Sequence, residues 1–259
     1  MQLDGAQNVR DLGGYRTAHG REVTRGAVFR GDALSQLTPA DVTTLSGLRL
    51  RTVVDFRLPG EVLVNGEDRL PDSATLVRLP VPGADIGNFY DLIASGDHGR
   101  QQAELGQGRA TQIMLGVHRG FVADPRQRDG FGIALRMMAD GQRGLPLLYH
   151  CTSGKERTGW MTAIVLTALG VPHATVVADY LLANDIYQAR YFKLGNDLAK
   201  TGMMRDPGLL RPIMELNPGY LEAAFDEVGQ RYGSFNEFMY RGLGMDEQAV
   251  AQLLAALLI

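Results

Sequence analysis

A short apolar run, Leu145 to Tyr149, leads into His150-Cys151-Thr152-Ser153-Gly154-Lys155-Glu156-Arg157-Thr158-Gly159. It is followed by Thr158 to Leu169, which is apolar on nearly every face. The first run reads as a central strand. The second reads as a helix buried in a domain core, and Gly170 is placed to end it. A strand that turns through one tight loop into a buried helix requires a sheet with helices packed on it. No other feature of the chain limits its fold as strongly.

The loop between those elements has a chemical reading. A helix N-terminus offers unpaired N–H groups and a partial positive charge. A loop feeding into it can turn Thr152, Ser153, Gly154, Lys155, Glu156 and Arg157 around an anion, with their amides facing inward. Gly154 permits backbone angles that other residues resist. Arg157 can grip two oxygens of a phosphate with its planar fork. Cys151 at the base of such a nest is favoured as a thiolate and can attack phosphorus, forming a cysteinyl-phosphate that water then hydrolyses. Thr158 can donate its hydroxyl to the sulfur when sulfur leaves. His150 can orient the loop, a role compatible with that of a hydrogen-bonded core histidine.

The chain has 259 residues, 45% hydrophobic and 21% charged, with a formal net charge of −3. That fits a single globular domain spanning 1–259. The charge balance gives no footing for nucleic acid, so an anionic substrate must be captured by local positive charge. Cys151 is the only cysteine, which excludes an intrachain disulfide and a multi-cysteine metal site. The N-terminus shows no basic region followed by an apolar run, and no stretch is long enough to span a bilayer. The expectation is a cytoplasmic protein without stable membrane insertion, with export lacking a visible signal left open. Oligomeric state is not legible.

Thr38-Pro39-Ala40-Asp41 has the pattern of a capped helix start, with an end near Gly47. Leu50 to Arg57 and Ala74 to Val81 read as strands. Further helices are expected at 173–184, 220–232, 235–241 and 246–258. Residues 83–110 are Gly-rich without clear period, and an insertion or lid is expected around 83–130, with a surface excursion of no role as the plainer reading. Strands separated by helical segments imply an α/β domain with helices on both faces.

The loop matches HCxxGxxR followed by Thr and Gly, the signature of the protein tyrosine phosphatase superfamily. Asn8-Val9-Arg10-Asp11-Leu12-Gly13-Gly14-Tyr15, Arg25 to Arg30 and Thr52 to Arg57 resemble its bacterial branch of atypical tyrosine, dual-specificity and lipid phosphatases, which includes secreted mycobacterial and listerial enzymes. So does the tail from Asp179-Tyr180 through Gly242-Leu243-Gly244. The resemblance implies a phosphatase-like α/β fold, with a mostly parallel central sheet flanked by helices. It implies activity on phosphotyrosine, extending to phosphoserine, phosphothreonine and phosphoinositides, with a phosphorylated protein or phosphoinositide as partner. It implies no cofactor and no metal. Lys155 inside the loop resembles the phosphoinositide enzymes, where a second cation neutralises neighbouring phosphates; the plainer reading is a solvated or carboxylate-paired lysine.

The proton donor is the open position. The Trp-Pro-Asp sequence of ordinary tyrosine phosphatases is absent, because the single Trp160 lies in the helix. The bacterial branch carries Asp just before the loop arginine, where this chain has Glu156. Asp55 at a strand end is the second candidate, and Asp124 beside Pro125 the third; each has a structural reading as an Arg-paired or turn carboxylate. Arg10 and Asp11 are placed to brace the loop, and Asp179, Tyr180 and Asn184 to close the back of the site. The competing readings are a sulfurtransferase-like cysteine-loop enzyme and a silent phosphate-binding module. A cysteine protease is disfavoured, since no separate His/Asn pair accompanies Cys151.

Overall fold

The computed structural model describes residues 1–83 and 86–259. Its centre is a five-stranded sheet of order β1-β2-β5-β3-β4, formed by Arg10–Asp11, Val28–Gly31, Leu147–His150, Thr52–Asp55 and Thr75–Arg78 respectively. β1 is antiparallel to β2, and the other pairings are parallel. The register sets Gly31, His150 and Asp55 side by side at the carboxyl end of the three central strands. The connections leaving β2, β3 and β5 therefore converge there, at the edge where open α/β sheets hold their ligands.

The strands alternate between two cores, as a two-residue period demands. Val28, Val54, Leu147 and Tyr149 face the larger core, with Trp160, Ile164, Phe121 and Phe131. Phe29, Val53 and Leu148 face the smaller one, with Leu34, Leu37, Leu45 and Leu50. The smaller core is covered by α1 (Pro39–Ser46), whose start carries the expected capping box between Thr38 and Asp41. The larger is filled by α8 (Glu156–Ala168), buried at nearly every position as its sequence requires.

Several boundaries differ from the sequence reading. The Gly-rich stretch is helical: α3 (Ile86–Ala94), α4 (His98–Leu105) and α5 (Arg109–Ala123) follow one another, then α6 (Pro125–Ala139) and a single turn, α7 (Gly141–Gly144). Gly96, Gly106 and Gly108 stand at the junctions between helices, which is why the stretch lacks one continuous period. Residues 84 and 85 of the expected insertion lie outside the described residues. Leu92, Leu105 and Ala110 pack with Leu198, Met204 and Leu210 into a third, separate core. Its far side comes from α9 (His173–Lys200), a 28-residue helix that runs on well past the expected end at 184, and from α10 (Arg211–Met214). The second half of α9 buries only Tyr187 and Leu198, too few apolar residues to announce a helix. The chain ends through α11 (Pro218–Tyr232), α12 (Phe235–Glu237), a π turn over Phe238–Gly242 in place of the expected single helix, and α13 (Glu247–Leu257).

α8 and α9 meet closely because Gly159 has no side chain. A Cβ there would stand 2.7 Å from Cδ2 of Tyr180, itself fully buried. Gly159→Ala is expected to cost about 1–3 kcal/mol through overpacking, read as a lowered urea midpoint with an unchanged m-value; an unaltered midpoint would show that the two helices separate freely.

Candidate active site

The segment 151–157 closes a tight turn between β5 and α8. Gly154 adopts φ +62°, and a Cβ on it would lie 2.5 Å from the Gly31 carbonyl oxygen, so only glycine fits both backbone and space. The loop carbonyls are held on the outside. Ala33 N donates to Thr152 O at 3.1 Å. Asn8 Nδ2 donates to Ser153 O and Gly154 O at 3.2 and 2.9 Å. Tyr187 Oη reaches Ser153 O at 2.9 Å, and Arg30 Nη2 reaches Gly154 O at 2.6 Å. In a planar trans peptide the N–H points opposite to the carbonyl. The amides of Ser153, Gly154 and Lys155 are thereby turned to the inner side of the loop, where an anion would sit.

Two of these donors, Arg30 directly and Asn8 through Arg10, are fixed by one buried carboxylate. Asp179 accepts from Arg30 Nη1 at 2.8 Å, Arg10 Nε at 3.1 Å and Tyr15 Oη at 2.8 Å. Burial alone would raise its pKa, but Arg30 and Arg10 hold it below the usual range. Arg10 also donates to Asn8 Oδ1. The N-terminal motif thus reaches the loop through Asn8 and Arg10. Asp11 does not touch the loop; it ties the turn together by accepting from Gly13 N and Gly26 N, both at 2.8 Å. Asp32 accepts from the amides of Gln7 and Asn8, and it lies 3.1 Å from Tyr187 Oη, whose single hydrogen is shared between Asp32 and Ser153 O.

Cys151 is buried at the base of the loop. Thr158 Oγ1 lies 3.2 Å from its sulfur and 3.4 Å from Gly31 O. His150 Nδ1 lies 3.2 Å from Cys151 O, and its Nε2 lies 3.1 Å from Asp68 Oδ2, a close charge contact with poor hydrogen-bond geometry. Burial works against the imidazolium, yet Asp68 and Asp55 raise the His150 pKa above its ordinary value. Asp55 has its oxygens engaged by Arg57: backbone N at 2.9 Å, Nε at 3.0 Å and Nη2 at 2.9 Å. Arg57 also pairs with Asp68 at 2.8 Å. Buried Asp55 and His150 and half-buried Asp68 form a compact cluster, with the Arg57 guanidinium donating to both carboxylates.

Arg157, in the first turn of α8, grips Glu61 with both terminal nitrogens at 2.6 Å and donates to Phe56 O at 3.1 Å. Burial would lower its pKa, but the charges of Cys151 and Glu61 raise it. Glu61 belongs to α2 (Pro59–Asn65), a helix the sequence reading did not place, and was not marked by the sequence. Lys155 lies buried away from solvent. Its ammonium donates to Met214 O at 2.7 Å and Ile213 O at 3.3 Å, sits 3.3 Å from Glu156 Oε1, and lies over the Tyr191 ring at 5.0 Å. It therefore joins the Cys151–Arg157 loop to the third core. Glu156 is pushed up by burial but held net below the ordinary carboxylate range by Lys155. Asp124 caps α6 through Arg126 N and pairs with the Arg126 guanidinium. Tyr180 Oη meets His118 Nε2 at 2.9 Å, and Asn184 exchanges two hydrogen bonds with the backbone of Leu216, so both brace helices rather than the loop.

A cysteine just past the end of a parallel strand, a loop with its carbonyls held outward and an arginine in the following helix form the strand-loop-helix arrangement expected of a cysteine-dependent phosphatase. The sequence model of the tyrosine phosphatase family matches residues 1–259, and the chain belongs to that family. It is 30% identical over 98% of its length to a putative tyrosine-protein phosphatase of Cupriavidus necator, covering 86% of that protein. It is 29% identical over 99% of its length to a triple specificity protein phosphatase of Mycobacterium tuberculosis, covering 98% of it. A tyrosine-protein phosphatase of Nostoc commune is 25% identical over 88% of this chain and 72% of its own. The α/β fold with its mostly parallel sheet agrees with that membership. Among the described residues no helix is long and apolar enough to cross a membrane.

Asp179→Asn removes the charge shared by Arg10 and Arg30 and leaves two cations underbalanced. It is expected to cost about 3–5 kcal/mol in chemical denaturation, with phosphatase activity lost well before global unfolding as Arg30 releases Gly154 O. Retained stability would assign the clamp elsewhere. His150 gives a pH test. Its folded pKa lies above its ordinary 6.5, so its stabilising contribution is complete below that value and is lost as pH rises through the folded value. The melting temperature should fall along that alkaline limb, and His150→Asn should flatten it; an unchanged alkaline limb in the variant would exclude the pair as its source.

Proposed function

We propose that the enzyme hydrolyses phosphate monoesters with Cys151 as nucleophile and Arg157 as phosphate clamp, and that phosphotyrosine is its principal substrate. The observation carrying this reading is the set of outward-held carbonyls at Thr152, Ser153 and Gly154 around Cys151 and Arg157. The Cys151 thiolate attacks phosphorus in line with the ester oxygen, and the P–O bond breaks as the S–P bond forms. The inward amides and Arg157 stabilise the charge on the equatorial oxygens. Water then attacks the cysteinyl-phosphate, and the Thr158 hydroxyl, 3.2 Å from the sulfur, stabilises the departing thiolate. This chemistry uses no metal and no cofactor.

Glu156 is the proton donor in this proposal. Asp55 is enclosed by Arg57, and Asp124 caps a surface helix, whereas Glu156 belongs to the loop itself. In the free protein Glu156 is a carboxylate held by Lys155; an arriving phosphate dianion is a like charge that raises its proton affinity. A range beyond phosphotyrosine is supported by the relative described as a triple specificity protein phosphatase. Lys155 contributes to phosphoinositide turnover only by exchanging the carbonyls of Ile213 and Met214 for a second phosphate. The α3–α4 segment, tied to the catalytic loop through that third core, is the proposed lid.

One kinetic panel tests these assignments: phosphotyrosine and phosphothreonine peptides and a phosphoinositide, all in chelator. Phosphotyrosine turnover should persist in chelator, and Cys151→Ser should lower it by about 10³-fold or more. Glu156→Gln should slow substrates with poor leaving groups more than p-nitrophenyl phosphate, and Lys155→Met should lower phosphoinositide turnover selectively. A strict metal requirement, or full turnover by Cys151→Ser, would overturn the mechanism; equal losses on all substrates in Lys155→Met would remove lysine from the lipid argument.

A further inference from the structure

We propose that Asp68 is a positioning residue of the active site: it holds the His150 ring with both nitrogens protonated, so that the ring pins the Cys151 carbonyl and stands as a fixed positive charge behind the nucleophile. The inference rests on the phosphatase reading of the Cys151 loop.

The ring of His150 lies between two oxygens that can only accept. Nδ1 is 3.2 Å from Cys151 O, and Nε2 is 3.1 Å from Asp68 Oδ2. Asp68 is an ionised carboxylate: Oδ1 accepts from Leu34 N at 3.0 Å and Oδ2 from Arg57 Nη2 at 2.8 Å. A neutral imidazole carries one hydrogen and one lone pair. Either tautomer would therefore turn its lone pair on an oxygen, and only the imidazolium has a hydrogen for each. The Nε2 contact has a poor hydrogen-bond angle, so charge rather than direction holds that side, and the charge exists only on the protonated ring. His118, also fully buried, has different surroundings. Its Nδ1 is 2.9 Å from Met114 O, but its Nε2 is 2.9 Å from Tyr180 Oη, a hydroxyl able to donate, and burial lowers its pKa.

The buried charges balance only with the second proton on His150. Among the described residues the groups facing its ring are Asp55 of β3 at 3.8 Å, Arg57 just beyond that strand, Asp68 and Cys151, while the neighbour in β2 is Gly31. The side chains of Asp55, Arg57, Asp68 and His150 are all shut off from solvent. With a protonated ring their charges sum to zero. With a neutral ring they leave one negative charge buried beside a cysteine that must itself become negative. Burial works against the imidazolium, but Asp68 and then Asp55 raise the His150 pKa.

The consequence for the loop is geometric. With its carbonyl held by Nδ1, Cys151 joins the outward-held series at Thr152, Ser153 and Gly154, and the amide of Thr152 turns inward. Leu34, which donates to Asp68, directly follows Ala33, which donates to Thr152 O. One short segment after β2 thus steadies both the loop and the carboxylate behind it.

The test pairs a spectroscopic reading with a pH profile. Wild-type protein is labelled with nitrogen-15 at its five histidines, and the His150 ring is assigned by through-bond correlation to the backbone. Both ring nitrogens should show the protonated shift at pH values above the ordinary histidine pKa of about 6.5. Asp68→Asn keeps an acceptor for Leu34 N but offers His150 no charge. Its His150 ring should be neutral at about pH 7.5, and kcat/KM on p-nitrophenyl phosphate should fall about tenfold or more there. Because the folded His150 pKa drops in the variant, the deficit should shrink as pH falls through it and the ring regains its proton. Glu67→Gln, which removes an exposed carboxylate paired with Arg78, is the control and should leave the profile unchanged. Circular dichroism melts set the assay temperature below the transition of each variant. A neutral His150 ring in the wild type at about pH 7 would overturn the inference. So would an undiminished kcat/KM in Asp68→Asn, or a deficit of equal size at every pH, the mark of a merely structural brace. Full turnover by Cys151→Ser would instead defeat the phosphatase reading and leave the protonation of the ring untouched, so the two failures are distinct.

Discussion

The carbonyl oxygens of Thr152, Ser153 and Gly154 face away from Cys151, and most of the polar architecture exists to keep them there. Left alone, a glycine-containing loop samples many orientations, and each peptide flip would replace an inward N–H with an inward oxygen. Here Asn8, Arg30 and Tyr187 supply donors to Ser153 and Gly154, and Ala33 supplies one to Thr152. An anion site built from amides carries no charge of its own, so its selectivity rests wholly on orientation. That is why an N-terminal segment more than a hundred residues away in sequence lies against it.

Orientation is secured by buried charge, which is costly to desolvate and useful only when matched. Asp179 is matched by Arg10 and Arg30; Asp55 and Asp68 by Arg57 and His150; Glu61 by Arg157. Each group touches the Cys151–Arg157 loop at a different point: the Gly154 carbonyl, the Cys151 carbonyl and the Arg157 fork. The buried ionic pairs thus gather around that loop at the carboxyl end of the sheet, and the two cores on its faces are packed with apolar side chains.

How much of this the sequence disclosed depends on range. The strand-loop-helix around Cys151, the Thr38 cap and the Gly170 helix stop are local patterns, and each was readable from a few adjacent residues. The short strands β1 and β2 carry too few residues for a period and were visible only as a family resemblance. α9 hid its second half because Tyr187 and Leu198 alone are buried there. Glu61 was invisible for a different reason: its role depends on meeting Thr152 and Arg157 across some ninety positions, and no local spacing encodes that meeting. Lys155 was legible as a loop cation, but the carbonyls of Ile213 and Met214 that take it were not.

The position of Lys155 links substrate binding to the outer helices. A buried ammonium whose partners are two carbonyls, an aromatic face and one carboxylate gives up little direct charge pairing if a phosphate replaces the carbonyls. In the proposed reaction the arriving phosphate is a like charge beside Glu156 and raises its proton affinity, while Lys155 keeps its contact with that carboxylate. In that reading, release of α10 from the loop and preparation of the proposed proton donor would both follow from a phosphate arriving at Lys155. A lysine is better suited to this than an arginine, since a compact charge on a flexible stem can change partners without carrying a rigid fork through the loop.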